Sequence, residues 1–197
     1  MRLILYILII LSFALPQDQM FVGTRPLGMG GAFIAVADDG NTITWNPAGL
    51  PRLRRKEFTS SYADLYAMNI THSYAGVVWP FGDRIAIGFD WSNIGFDDQE
   101  LNYSENKLNF SLGYQPIKML SIGGTFKYLS GDMGLDGTSY GKTSGIGYDI
   151  GILFSPFKKL RFGMGVYDLG GTDVTYKQNK VDETILGQAF KLSLIHI

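Results

Sequence analysis

The chain has 197 residues, with 17 basic and 18 acidic side chains and a formal net charge of −1, so there is no global electrostatic case for nucleic acid. Cysteine is absent, which removes disulfides, thiolate metal sites and cysteine catalysis together and fits any compartment. Aromatic residues at 14% and 25 glycines are both high for an ordinary soluble globule, and the length is compatible with one domain or with part of a larger one.

Met1 to Ala14 reads as a secretory signal, with Arg2 as the charged start, Leu3 to Leu11 as the apolar run and Ser12-Phe13-Ala14 as a small-x-small cleavage pattern. Removal after Ala14 is expected. The apolar run is roughly half the ~20 residues a helix needs to cross a bilayer, and no second such run occurs later.

A compact leader follows, assigned to residues 15–56. Met29, Ala32, Phe33 and Val36 fall at i, i+3, i+4 and i+7, one face of a short helix, with Gly30, Gly31, Ala35 and Ala37 keeping the rest narrow. Glycines in a helix cost roughly 1 kcal/mol each against Ala, so this helix is expected to rely on close approach to a surrounding wall. Asp38 and Asp39 sit unfavourably at its negative end and Gly40 is a natural stop. Asn46-Pro47-Ala48-Gly49 reads as a tight turn, Asn46 bonding the nearby backbone and Pro47 fixing φ. Gly28-Met29-Gly30-Gly31-Ala32-Phe33 fails as a dinucleotide fingerprint: Phe33 stands where the third Gly belongs, and Pro26 interrupts any strand leading in.

From Glu57 onward period two replaces the helical period. Ile85, Ile87, Phe89 and Trp91 alternate with Ala86, Gly88, Asp90 and Ser92. Leu108 to Gln115, Ile146 to Ser155 and Leu160 to Tyr167 repeat the pattern, bulky apolar against small or polar. Three similar hairpins carry Pro80, Pro116 and Pro156, at intervals of 36 and 40 residues, so short Pro turns alternate with long polar loops at 93–106, 131–144 and 170–184. About eight strands are expected: Glu57 to Ala63, Ile70 to Trp79, Ile85 to Asn93, Lys107 to Gln115, Leu120 to Ser130, Gly145 to Ser155, Leu160 to Asp168 and Gln188 onward.

A soluble sandwich would bury its bulky residues and wet the other face with Lys and Glu. Here the second face is mainly Gly, Ser, Thr, Ala and Asn, suited to a crowded barrel interior. Trp79, Phe81, Tyr114, Phe154 and Phe157 lie by the short turns, with Trp91, Phe96 and Tyr128 toward the long loops, as in the two aromatic girdles of a membrane barrel. The fold class expected is therefore all-β, an antiparallel transmembrane β-barrel over residues 57–197.

Catalytic chemistry finds no constellation. His72 and His196 are the only histidines, too few for a triad or a zinc site. Gly137 to Thr143 resembles a P-loop, but is one residue short and lies between strands, so it reads as a surface loop. Asp132 and Asp136 lack EF-hand spacing. Arg52-Leu53-Arg54-Arg55-Lys56 reads as the interfacial flank of the first strand. The chain is expected to be non-enzymatic, with no cofactor and no metal.

Gly23-x-Arg25-x-x-Gly28-Met29-Gly30-Gly31-Ala32, Ala35-x-Ala37-Asp38-Asp39 and Asn46-Pro47-Ala48-Gly49-Leu50 together resemble the N-terminal signature of the PorV/PorQ family, within the wider FadL-like outer-membrane proteins. The resemblance implies a barrel of about fourteen strands in the bacterial outer membrane, its N-terminal segment folded inside as a plug shaped by Gly28, Gly30, Gly31, Asn46, Pro47 and Gly49. It implies a role in type IX protein secretion or cell-surface attachment of cargo. The alternatives are a FadL-like channel for long-chain fatty acids or other hydrophobic compounds, and a structural barrel. Partners would be outer-membrane lipid, with secreted cargo, secretion-system components or hydrophobic small molecules, and no nucleic acid. Because the chain holds fewer strands and ends in KLSLIHI without a terminal aromatic residue, a C-terminally incomplete barrel is expected.

Overall fold

The computed structural model describes residues 22–65, 67–97, 101–135, 138–157, 159–169, 172–176, 182–186 and 189–196. The expected signal at 1–14, Asp136 and Gly137 lie outside them. Ten strands form one antiparallel sheet that curls into part of a barrel. They are β1 (Glu57–Leu65), β2 (Ile70–Phe81), β3 (Ile85–Asp97), β4 (Leu101–Ile117), β5 (Leu120–Leu135), β6 (Thr138–Phe157), β7 (Leu160–Tyr167), β8 (Thr172–Tyr176), β9 (Asp182–Leu186) and β10 (Ala189–His196). The first seven are neighbours in chain order and β10 pairs with β7, while β8 pairs with β6 and β9 with β8. The eight strands anticipated from alternation are β1 to β7 and β10; β8 and β9 occupy the third connection.

The register of β3 to β6 places their bulky alternating residues on the convex face, and β1 adds Phe58 and Tyr62. Phe58, Phe110 and Tyr148 are exposed there, at 73%, 51% and 52%. Asp90, Asn109, Ser111, Thr125, Lys127 and Asp149 are buried on the other. A sheet with wet apolar residues outside and dry polar residues inside is stable only with apolar solvent around it, as in a membrane barrel. Trp79, Phe81, Tyr114, Phe154 and Phe157 all face outward near the short turns.

Two of the expected long loops are corrected. β3 and β4 stay paired from Asn93↔Asn106 to Asp97↔Asn102, and β5 and β6 from Ser130↔Ser144 to Leu135↔Thr138. The P-loop lookalike is thus not a surface loop over Thr138 to Thr143, which belong to β6, and Lys142 lies 3.7 Å from Asp132. Backbone pairing continues where the apolar alternation has stopped: 20 residues of β6 span about 65 Å, while an apolar band takes only about ten tilted residues. Two of the register shifts, between Tyr114 and Ile117 and between Phe154 and Phe157, bracket Pro116 and Pro156, which lack the N–H a ladder needs.

The leader has two short helices, α1 (Thr24–Gly28) and α2 (Thr42–Trp45), then a 3-10 turn, Pro47–Arg52, that hands the chain to β1. The helix expected over Met29 to Val36 is absent. Those residues form consecutive turns, because Gly30 (φ 63°) and Gly31 (φ 78°) take the left-handed conformation that a right-handed helix cannot include. The apolar face survives in part: Phe33 and Val36 are buried with Met29 packed against them, but Ala32 is exposed.

Candidate functional site: the leader against the inner wall

The concave face is built to receive a backbone. Gly113, Gly123 and Gly151 are directly paired across β4, β5 and β6, and the row continues to Ala86 on β3 and Gly165 on β7. A Cβ at Gly123 would lie 2.5 Å from Ala48 N and against the Pro47 carbonyl group, and one at Gly113 would lie 2.7 Å from the Pro47 carbonyl oxygen. At Gly151 it would meet Asn46 Oδ1, and at Gly163 it would fall 2.6 Å from Ala35 Cα. Leader and wall are therefore in van der Waals contact at positions where any side chain would separate them.

Polar groups stitch the two together. Asn46 is fully buried. Its Nδ2 donates to the carbonyls of Ile34 (2.8 Å) and Ile152 (3.3 Å), and its Oδ1 accepts from Ala48 N at 3.1 Å. The last bond starts the 3-10 turn, as the Asn-Pro spacing implies, with Pro47 pre-set at its first position. Thr44 donates to Asp90 (2.9 Å), which also accepts from Asn109 at 2.8 Å. The Tyr167 hydroxyl donates to the Trp45 carbonyl, Trp45 Nε1 donates to the Val22 carbonyl at 3.0 Å, and Arg161 donates to the Val36 carbonyl at 2.6 Å. Behind this layer Lys127 lies 2.7 Å from Asp149 and 2.5 Å from Asp168. All three are buried, so each charge depends on the others.

Apolar leader side chains fill the remaining space. Phe33, Ile34, Val36, Trp45 and Ala48 cluster with Leu153 of β6, and the Phe33 and Trp45 rings meet edge to face at 6.2 Å. Ile43, Leu50 and Leu53 cluster with Val78 and Ala86. That is why β2 carries apolar groups on both faces: Val78 meets the leader while Val77 and Trp79 face out. Asp38 and Asp39, expected to oppose a helix end, instead hold Arg25 at 2.6 and 2.8 Å. Their two carboxylates push the guanidinium above its ordinary pKa.

Of the leader residues singled out from sequence, Asn46 and Pro47 meet the wall, while Gly49 packs within the leader against Ala37 and Thr42. A Cβ at Gly49 would lie 2.8 Å from that of Ala37. Gly28 and Gly30 have open space around the Cβ position; Gly30 serves the turn through its positive φ, and Gly28 ends the first short helix. The wall glycines, Asp90, the Lys127 group and Tyr167 were missed. Their one signal is small or charged residues at inward positions of successive strands, which becomes a site only once register is known. The basic run flanks β1 as expected: Leu53 is buried, Arg54 pairs with Asp83 at 3.0 Å, and Lys56 Nζ sits 3.4 Å from the centre of the Trp79 ring.

Fold and site together define a class: an antiparallel barrel wall with an apolar outer face, whose leader is packed against the inner one. No protein family matches the chain by sequence, and neither does any curated protein. Among solved structures the chain is similar to the CymD monoaromatic hydrocarbon channel, with a TM-score of 0.59 and 17% identity over 91% of this chain. It spans 61% of the length of that channel. The fold is thus that of a β-barrel wall.

Proposed function

We propose that the protein is a non-enzymatic outer-membrane β-barrel of the FadL-like kind, which passes hydrophobic compounds, with the leader closing the path until it shifts. The observation that carries this reading is the shared fold with a channel for monoaromatic hydrocarbons. The character of the inner space supports it. The leader's apolar side chains meet Leu153, Val78 and Ala86 of the wall, so a displaced leader leaves apolar patches beside the buried polar residues of the inner face. The full protein, expressed in cells that lack a hydrocarbon channel, should speed uptake of radiolabelled toluene several-fold and leave uptake of a sugar unchanged. Toluene uptake equal to that of control cells would sink the proposal.

The PorV/PorQ-type reading, in which the barrel holds secreted cargo, ranks second. It rests on the leader motif. Gly30 and Gly31 in left-handed turns and Asn46 at the wall give that motif a structural role that serves either function. Under it, cargo proteins should co-purify with the detergent-solubilised barrel.

A further inference from the structure

Asp90 is fully buried on the inner wall, yet it makes no ion pair among the described residues. Both of its hydrogen bonds come from neutral donors: Thr44 of the leader gives one to Oδ2 at 2.9 Å, and Asn109 of β4 gives the other to Oδ1 at 2.8 Å. Lys107, part-buried on β4, acts on the carboxylate only through space. The buried amine of the wall, Lys127, is already committed to Asp149 and Asp168. A buried carboxylate without a cation is costly, so its neighbours show what would offset the charge.

Those neighbours are rich in uncommitted oxygen. Each Asp90 oxygen accepts one hydrogen bond and keeps a further lone pair. Asn109 turns its Nδ2 toward Asp90, and Oδ1 of the same buried amide accepts nothing. The buried Tyr74 hydroxyl makes no hydrogen bond, although Asp90 and Thr44 are its neighbours. It reaches this place because residue 76 is glycine: a Cβ there would lie 2.7 Å from Tyr74 Oη and 3.2 Å from Asp90 Cβ. Several oxygens around one full negative charge form the ligand set of a hard cation. One carboxylate balances one positive charge, whereas a divalent ion would leave a net charge in a dry layer.

We propose that Asp90, Asn109 Oδ1, Tyr74 Oη and Thr44 Oγ1 bind a monovalent alkali-metal cation. Thr44 belongs to the leader and the other three to β2, β3 and β4, so the ion ties the leader to the wall. The inference rests on the docked leader and not on what the barrel passes. Toluene uptake and cation binding are separate measurements, so either can fail without the other.

The test uses the full chain in phosphatidylcholine nanodiscs at pH 8, which favours an ionised carboxylate. Sodium chloride is exchanged for choline chloride at constant ionic strength, so that screening of surface ion pairs is unchanged. The urea midpoint, read by heat-modifiable gel mobility, should rise with sodium and saturate, by about 0.5 M once sodium exceeds its dissociation constant roughly tenfold. Asp90→Asn keeps the shape and removes the charge; it should fold and lose the sodium response, with a choline midpoint no lower than that of the parent. Thr44→Val should lose part of the response, and Arg25→Gln, at an exposed ion pair, should keep all of it. Broadening of the sodium-23 resonance by the parent, absent with Asp90→Asn, reports the ion directly. Equal midpoints in sodium and choline, or a sodium response retained in Asp90→Asn, would overturn the proposal. So would a larger shift with 1 mM calcium than with saturating sodium, which would make the site divalent.

Discussion

Gly123 and Gly124 are adjacent in β5 and face opposite sides of the wall, which makes them a matched pair for testing whether the leader sits on the glycine row. An alanine Cβ at 123 would lie 2.5 Å from Ala48 N and still closer to the Pro47 carbonyl carbon, against a floor of 3.0 Å for real contacts, so something must move by more than half an ångström. The obstacle is backbone, held by Pro47 and by three bonds to Asn46, and it cannot rotate away. Overpacking of this kind costs about 1–3 kcal/mol, which lowers a urea midpoint by roughly 1 M at ordinary denaturant sensitivities. At 124 the nearest atom is Asp149 O at 3.6 Å, an ordinary contact, so Gly124→Ala should stay within about 0.5 kcal/mol of the parent. The assay is heat-modifiable gel mobility after incubation in increasing urea. Removing residues 15–50 completes a double-mutant cycle: without the leader, Gly123→Ala should become as mild as Gly124→Ala. Equal midpoints for the two alanine variants in the intact chain would refute the packing argument.

Asn46→Ala strips the Ile34 and Ile152 carbonyls of a buried donor and removes the bond that starts the 3-10 turn; a loss of roughly 3 kcal/mol is expected in the same urea assay. Lys127→Met leaves Asp149 and Asp168 buried without their cation and should cost about 3–5 kcal/mol, whereas replacing all three residues by apolar ones should be nearly neutral. Arg25→Gln breaks two ion pairs whose Arg25 side chain is half exposed, so its effect should be within about 1 kcal/mol and shrink in high salt. Deleting Gly28 to Leu50 should raise permeability to small solutes in reconstituted vesicles; unchanged permeability in a folded barrel would count against a closing role for the leader.

The wall was legible in the sequence because period-two alternation is a property of single strands, and in a barrel each strand alternates whatever its neighbours do. Eight strands and both face assignments follow from it. Strand ends were not legible: above the apolar band, residues such as Asn102 and Ser104 carry no alternation, yet their backbones still pair. The leader helix over Met29 to Val36 failed for a local reason. A spacing of i, i+3, i+4 and i+7 records which residues are buried, and turns at Gly30 and Gly31 bury Phe33 and Val36 equally well. The Asn46-Pro47 turn was readable because its chemistry is confined to neighbouring residues. Gly113, Gly123 and Gly151 lie on three different strands, so their alignment is a fact of register. The same holds for Lys127 with Asp149 and Asp168.

The central claim is that the bulky face of this wall meets lipid while the opposite face carries the leader. The native chain has no cysteine, so single nitroxides can be placed at 108, 110, 112 and 114 of β4, and at 48 in the leader, in the full chain reconstituted in bilayers. Power-saturation EPR then compares collision with oxygen, which concentrates in lipid, against collision with a water-soluble nickel chelate. The account predicts high oxygen and low chelate accessibility at all four β4 positions, and low accessibility to both at position 48. Chelate accessibility exceeding that of oxygen at 110 and 112 would put the bulky face in water and contradict it.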